Sequence, residues 1–490
     1  MTLAIIFAYL LLVLTIGWWS SRYFKGTGED YFVATRSIGA FLLLMSLFGT
    51  NMTAFSLLGA SGEAYRRGIG VFALMASSTA LVTPVVFLTL APRVWALGKR
   101  HGYTTQVELI RDRWGSERLG IALFTFLVVL LVPYLLIGIK GGGLTLDQIT
   151  GGTVPEWAGS LLIAAVVLVY VTAGGLRGTA WANAAQTVVF MVLGAVTFWV
   201  VVKNFGDLSA AFERVRQVDP DLLIRGDRVR PLELLSYMAI PLSVVGFPHI
   251  FLHWLTAKNV AAFRLPVVAF PLCVAAVWLP SVTLGVLGVI DFPGLVGPQA
   301  NSVLIQMIGR YAPEVLAGFL AAGVLAAVMS SLDSQTLALS NMFTHDVVKH
   351  LGLADRMSDR TEVVLGRAFV VGVLAVALLL SLFIDTSIFA LGIWAFSGFA
   401  ALTPLFVAAL YWRRSTRAGA AAGLATAIGL WVYYLVRGWG VPGYTVSGSG
   451  LMPVVVMIVG SALALIAASL ATQPPEPERL ERFFPTEAGS

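Results

Sequence analysis

Of the 490 residues, 58% are hydrophobic and only 12% charged, more apolar surface than a water-soluble fold of this length can hide, so the chain must be solvated by lipid. The net charge of +6 does not by itself point to nucleic acid, because the basic residues fall in alternate loops between apolar runs. The one cysteine, Cys273, lies in an apolar run, which excludes a disulfide framework and argues against a cysteine metal site.

A bilayer core of roughly 30 Å takes about 20 apolar residues as one helix. The expected class is an all-α membrane protein with about 13 transmembrane helices, at 3–21, 38–60, 70–92, 119–139, 158–173, 181–203, 232–256, 266–290, 313–345, 367–384, 387–411, 418–436 and 450–471. The first run, Leu3 to Trp19, has no basic leader and meets Arg22 and Lys25 in place of a small-residue cleavage site, so it reads as a retained helix. No connection is long enough for a soluble domain. Residues 1–472 therefore read as one transmembrane domain, and the Pro- and Glu-rich 473–490 as a disordered cytoplasmic tail.

The loops after odd-numbered spans, with the tail, hold about 21 of the 32 Lys and Arg. Clusters such as Arg93, Lys99, Arg100, Arg111 and Arg113, and later Arg413, Arg414 and Arg417, mark that face as cytoplasmic, with the N-terminus outside and the C-terminus inside. The loop from Lys203 to Pro231 carries five Arg on the opposite side, but long loops count little in this rule.

Two spans are weakened in mid-membrane. The second contains Gly49, Thr50, Asn51, Met52 and Thr53 followed by Gly59, and the seventh contains Pro241, Gly246 and Pro248. They lie five spans apart, the spacing expected of a five-plus-five inverted repeat, about 38–203 and 232–411, with the first helix of each repeat broken. The alternative is that these are ordinary Gly and Pro residues of membrane helices, re-satisfied by their neighbours.

The ninth span holds AAVMSSLDSQTLALSN, Ala326 to Asn341, which sets Ser330, Ser331, Asp333, Ser334, Gln335 and Ser340 among Ala, Leu and Val. So many buried polar groups are costly unless they pair or face water or an ion. Hydroxyls and freed carbonyls are hard neutral ligands that suit Na⁺, and Ser330 and Ser331 opposite the Gly49 to Met52 break would make a cation cage. Close packing of small hydroxyl residues between helices is the alternative.

Three segments resemble the sodium/solute symporters, the family of sodium/proline and sodium/sugar cotransporters. They are SLFGTNMTAFSLLGASGEAYRRG in the second span, YVTAGGLRGTAWANAAQTVVFMVLG at the sixth, and AAVMSSLDSQTLALSNMFTHDVVK in the ninth. GFPHI, Gly246 to Ile250, looks like a step in the seventh span of some members. The resemblance implies a thirteen-helix fold with the inverted repeat. It also implies a sodium site built from the carbonyls of Gly49, Met52 and Ala327 and the hydroxyls of Ser330 and Ser331.

One departure concerns a second ion. Many members carry an Asp shortly before a Gln in the sixth span, where this chain has Asn183 before Gln186; Asp333 and Ser334 stand where hydroxyls help form the second site in some members. Asn183, Asp333 and Ser334 are thus the place for a second cation or an exchangeable proton. A structural Asp333, bonded to Asn183 or to helix-end amides, is the alternative. By motif position, Asn51, Thr53 and Phe55, with Ile240, Val244 and Pro248, face the solute. The apolar seventh-span residues argue against a sugar, and half-helix N-termini suit a carboxylate.

Other polar residues have plainer readings. His249 and His253 lie one helical turn apart, but no acidic or Cys partner is near in sequence, so hydrogen bonding is preferred to a metal. Lys140 reads as a snorkelling residue at the outer interface, Trp394 and Phe396 as aromatic packing or part of a gate, and Glu108 as solvated. The prediction is a plasma-membrane, sodium-coupled secondary active symporter that imports a small carboxylate or amino acid by alternating access. Its partners would be the solute, Na⁺ as coupling ion and the bilayer, with no other cofactor, no nucleic acid and no obligate protein partner. No nucleophile, base and oxyanion constellation suggests an enzyme. Proton coupling through Asp333 and a transporter-like solute sensor are the competing readings, the second weakened by the lack of an output domain.

Overall fold

The computed structural model describes residues 1–21, 36–350 and 359–484. Arg22, Lys25 and the end of the tail, 485–490, lie outside the described residues. Among the described residues every regular element is helical, and the one β pairing is an isolated bridge between Ile38 and Ala257. Among the described residues nine helices are long and apolar enough to cross a bilayer, or eleven if two bent pairs count as one span each. Two shorter apolar helices, Thr2–Thr15 and Glu156–Val169, fall on the first and fifth expected spans.

The bent pairs are the two spans expected to be interrupted. Ala40–Asn51 meets Phe55–Arg67 at 61°, and Pro231–Val245 meets Pro248–Thr256 at 56°. In the seventh span the cause is local: Pro248 has no N–H to continue the ladder and forces the preceding Phe247 out of the helical region, to φ −68° and ψ 115°. Ile38 N–H donates to Thr256 O at 3.0 Å and Lys258 N–H to Ile38 O at 2.9 Å, so the start of the second span is tied to the end of the seventh.

The ninth span, within Glu314–Lys349, is the axis of the molecule: every side chain from Leu320 to Met342 is buried. It packs against the second, fourth, seventh and tenth spans and the long helix Glu156–Asn204. That helix departs from expectation, since the backbone stays helical through Gly174, Gly175 and Gly178, where a turn between spans 158–173 and 181–203 was predicted. Connections also carry unforeseen helices, chiefly Gln106–Trp114, called here the loop helix, and Val303–Tyr311. The expected disordered tail is corrected as well. Pro477–Phe483 is a helix whose Phe483 is 3% exposed, because that ring and Phe484 find an aromatic and cationic seat beside the loop helix.

Candidate ion and solute site

In the second span the ladder of Ala40–Asn51 closes with Met52 N–H on Phe48 O at 2.9 Å, after which Met52 is extended at φ −87° and ψ 117°. Among the described residues, no backbone N–H then takes up the Gly49 carbonyl. Its partner comes from the ninth span. Ser330 Oγ lies 2.8 Å from Gly49 O and 3.0 Å from Ala327 O, so three neutral oxygens from two helices converge with one hydroxyl proton among them. Hard neutral oxygens in a water-poor interior suit a small monovalent cation. Ser331 Oγ donates to Val328 O at 2.9 Å, which leaves its lone pairs available. Hydrogen bonds thus join Gly49, Ala327 and Ser330. Met52 is fully buried at the break, and among the described residues no side-chain hydrogen bond links it or the Ser331 hydroxyl to that trio.

The close approach requires glycine. A Cβ on Gly49 would fall 2.1 Å from Thr187 Oγ1 and 3.2 Å from Asn183 O. Thr187 Oγ1 itself lies 3.1 Å from Met45 O and 2.5 Å from Asn183 O, which pins the sixth span to the broken one.

Asn183 reaches from the sixth span to the ninth. With its amide nitrogen facing the carboxylate, Nδ2 lies 2.9 Å from both oxygens of Asp333 and 3.1 Å from Ser330 O, while its oxygen accepts from Ser334 Oγ at 2.7 Å. Ser334 Oγ is also 3.1 Å from Asp333 Oδ1 and 3.4 Å from His253 Nε2 of the seventh span. The predicted trio of Asn183, Asp333 and Ser334 is therefore one hydrogen-bonded unit, joined to Ser330 through its carbonyl.

Asn51, Phe55, Ile240 and Val244 line a common cavity of about 30 Å³ between the two breaks, room for a water or two. Thr53 and Pro248 do not line it. Thr53 Oγ1 instead accepts Phe55 N–H at 2.9 Å, and Pro248 begins the second half of the seventh span. Residues that sequence reasoning passed over complete the wall, notably Ser56, Tyr237, Ser243 and Trp278. Phe396 lines it too and stands edge-on to Phe55 at 5.0 Å between ring centroids. Trp394, grouped with Phe396 in the sequence, has a packing role: its carbonyl accepts Trp431 Nε1–H at 2.9 Å. The only available signal for the wall was that aromatic residues recur near both breaks, which ordinary packing explains equally well.

Lys140 and Glu108 are more engaged than their sequence suggested, and His249 is less so. Lys140 Nζ donates to Ile384 O at 2.6 Å. Glu108, read as solvated from the sequence, is partly exposed, and it also closes a capping box with Thr105 and meets His345 Nδ1 at 3.3 Å. Burial alone would raise its pKa, but the facing His345 and the N–H groups of Thr104 and Thr105 outweigh that and hold its carboxyl below 4.5. His249, expected to hydrogen-bond, is instead fully buried against Tyr134 and Phe247, and among the described residues neither ring nitrogen has a hydrogen-bond partner.

The sequence profile of the family described as "Sodium:solute symporter family" matches residues 31–427. The high-affinity proline transporter PutP of Bacillus subtilis is 26% identical over 403 residues, covering 81% of this chain and 84% of that protein. The sodium/pantothenate symporter of Escherichia coli is 27% identical over 430 residues, covering 85% and 87%. Among solved structures, a Na⁺-coupled sialic acid symporter in a substrate-bound outward-open state superposes with a TM-score of 0.79 at 16% identity, covering 97% of this chain and 98% of that one. The fold is therefore that of a transporter.

Proposed function

The chain belongs to the sodium:solute symporter family, and from that premise we propose that it imports a small carboxylate or amino acid on a sodium gradient by alternating access. The observation that carries this reading is the contact of Ser330 with the Gly49 carbonyl at the break of the second span. It places hydroxyl and carbonyl oxygens from the fixed ninth span and the broken helix within one hydrogen bond of each other. Na⁺ bound by Gly49, Met52 and Ala327 carbonyls and the Ser330 and Ser331 hydroxyls holds these spans together, with the cavity open to the outside. Solute then binds beside Asn51, Phe55, Ile240 and Val244, and rocking of the repeats exposes both to the other face.

The mostly apolar wall and the N-terminus of Pro248–Thr256 favour a small solute with a carboxylate over a sugar. Proline and pantothenate, the solutes named for the two relatives, both carry one. The reading includes thirteen spans in a five-plus-five inverted repeat over about 38–203 and 232–411, matching the paired breaks. It also sets the basic face in the cytoplasm. Asn183, Asp333 and Ser334 provide the place for a second cation or a proton, a reading supported by the bond from Asn183 to the carbonyl of Ser330, whose hydroxyl belongs to the first site. Uptake into proteoliposomes with Na⁺ and H⁺ gradients imposed separately, over a panel of small carboxylates, amino acids and sugars, tests it. Uptake driven by a proton gradient and indifferent to Na⁺ defeats the sodium reading.

A further inference from the structure

The tail helix Pro477–Phe483 docks on the loop helix Gln106–Trp114 and its flanks. Phe483 and Phe484 are 3% and 7% exposed, and the guanidinium groups of Arg93, Arg113 and Arg413 lie 5.2, 5.3 and 5.7 Å from the Phe484 ring. Arg482 pairs with Asp112 at 3.1 Å, and its carbonyl meets His101 Nε2 at 3.1 Å. Asp112 also takes the Tyr103 hydroxyl. The Arg479 guanidinium covers Gly115 so closely that a Cβ there would fall 1.4 Å from Nη1. Buried rings, cation–π contacts and an ion pair together make a specific seat.

The same loop helix grips the transport core. Gln106 Nε2 donates to Gly246 O at 2.8 Å, at the break of the seventh span. Thr105 Oγ1 donates to Asp346 Oδ1 at 2.9 Å and Arg111 to Asp346 O at 3.2 Å, at the end of the ninth span. Asn341 Nδ2 donates to Thr104 O at 2.9 Å. The loop helix is thus clamped between the tail and two elements that bound the ion and solute sites.

We propose that Arg482, Phe483 and Phe484 are positioning residues of the transport cycle. Seated on the loop helix, they hold the basic face closed over the seventh-span break and the ninth-span end, and their release allows that face to open. The inference rests on the symport reading, because only a transporter must open this face in each cycle. The seat binds the closed arrangement alone, so its loss shifts the population toward the open one.

The test is backbone hydrogen exchange of the full chain in lipid nanodiscs, with NaCl against KCl. Wild-type protein should show Na⁺-specific protection at 49–59. Phe483→Ala with Phe484→Ala should speed exchange at 240–250 and 341–349 by about tenfold or more, as two buried rings lose their seat, with Na⁺ protection at 49–59 retained. The conservative pair Phe483→Leu with Phe484→Leu should recover most of the difference. Asp112→Arg combined with Arg482→Asp should exchange more slowly than either single change. Acceleration confined to 101–114, or no acceleration, overturns the proposal while leaving symport intact. Absence of Na⁺ protection in the wild type overturns the symport reading instead.

Discussion

Ser330 on the ninth span donates a 2.8 Å hydrogen bond to the carbonyl of Gly49, 281 residues earlier in the chain. The bond exists because the second span stops its ladder at Met52 and leaves that carbonyl unclaimed by backbone. A cation that takes up both oxygens replaces this bond with stronger ion–dipole contacts, so ion binding and the union of the two spans become one event.

Ser331→Ala should raise the sodium concentration for half-maximal uptake by about tenfold, a loss of roughly 1.4 kcal/mol typical of one polar contact. Among the described residues its hydroxyl bonds only to Val328 O within its own helix, so membrane insertion should be preserved. Sodium titration of uptake in proteoliposomes decides the point, and an unchanged titration removes Ser331 from the site.

Gly49→Ala should destabilise the protein by about 1–3 kcal/mol, the usual range for overpacking a close contact, because its Cβ would fall 2.1 Å from Thr187 Oγ1. Adding Thr187→Ala should recover part of the loss by removing that atom. Thermal unfolding in detergent, compared across the single and double variants, measures the coupling.

Asp333→Asn should alter the sodium affinity or the number of ions moved per solute. Its carboxylate oxygens both lie 2.9 Å from the Asn183 amide nitrogen, and that nitrogen is also 3.1 Å from the Ser330 carbonyl, so neutralising it disturbs the first site as well. Paired measurements of ²²Na⁺ and solute flux give the ratio. An Asp333→Asn protein with wild-type affinity and ratio confines Asp333 to a structural role.

Glu108→Ala should lower stability at pH 7 by about 1 kcal/mol through loss of the capping box. Because the folded-state pKa lies below 4.5, the charged-form contribution is complete above that pH and is lost as pH falls through the lower folded value. Melting curves of wild type and variant should therefore converge on acidification below pH 4.5 and run parallel above it.

Val244→Trp should abolish solute uptake by filling the cavity of about 30 Å³ that it lines with Asn51, Phe55 and Ile240. Sodium protection at the second-span break should survive. Loss of both together places Val244 in the fold and not in the solute wall.

Composition and period alone carried the membrane class and nearly every span, because a lipid interior admits only helices or closed barrels, and unbroken apolar runs of about 20 residues fit the helix. Gly49 to Thr53, and Pro241, Gly246 and Pro248, announced the two breaks for the same reason: they weaken or interrupt a helix wherever it lies. Ser330 and Ser331 stood out as polar groups too costly to bury idly. What the sequence could not rank was contact between distant segments. That Asn183 meets Asp333, that Thr187 makes Gly49 indispensable, and that Tyr237, Trp278 and Phe396 share a wall with Val244 depends on helix rotation and crossing, which apolar residues of similar size leave undetermined. The tail was misread for a related reason. Pro and Glu signal disorder locally, yet Phe483 and Phe484 are ordered by a seat that the folded loop helix creates, so only the tertiary structure decided their place.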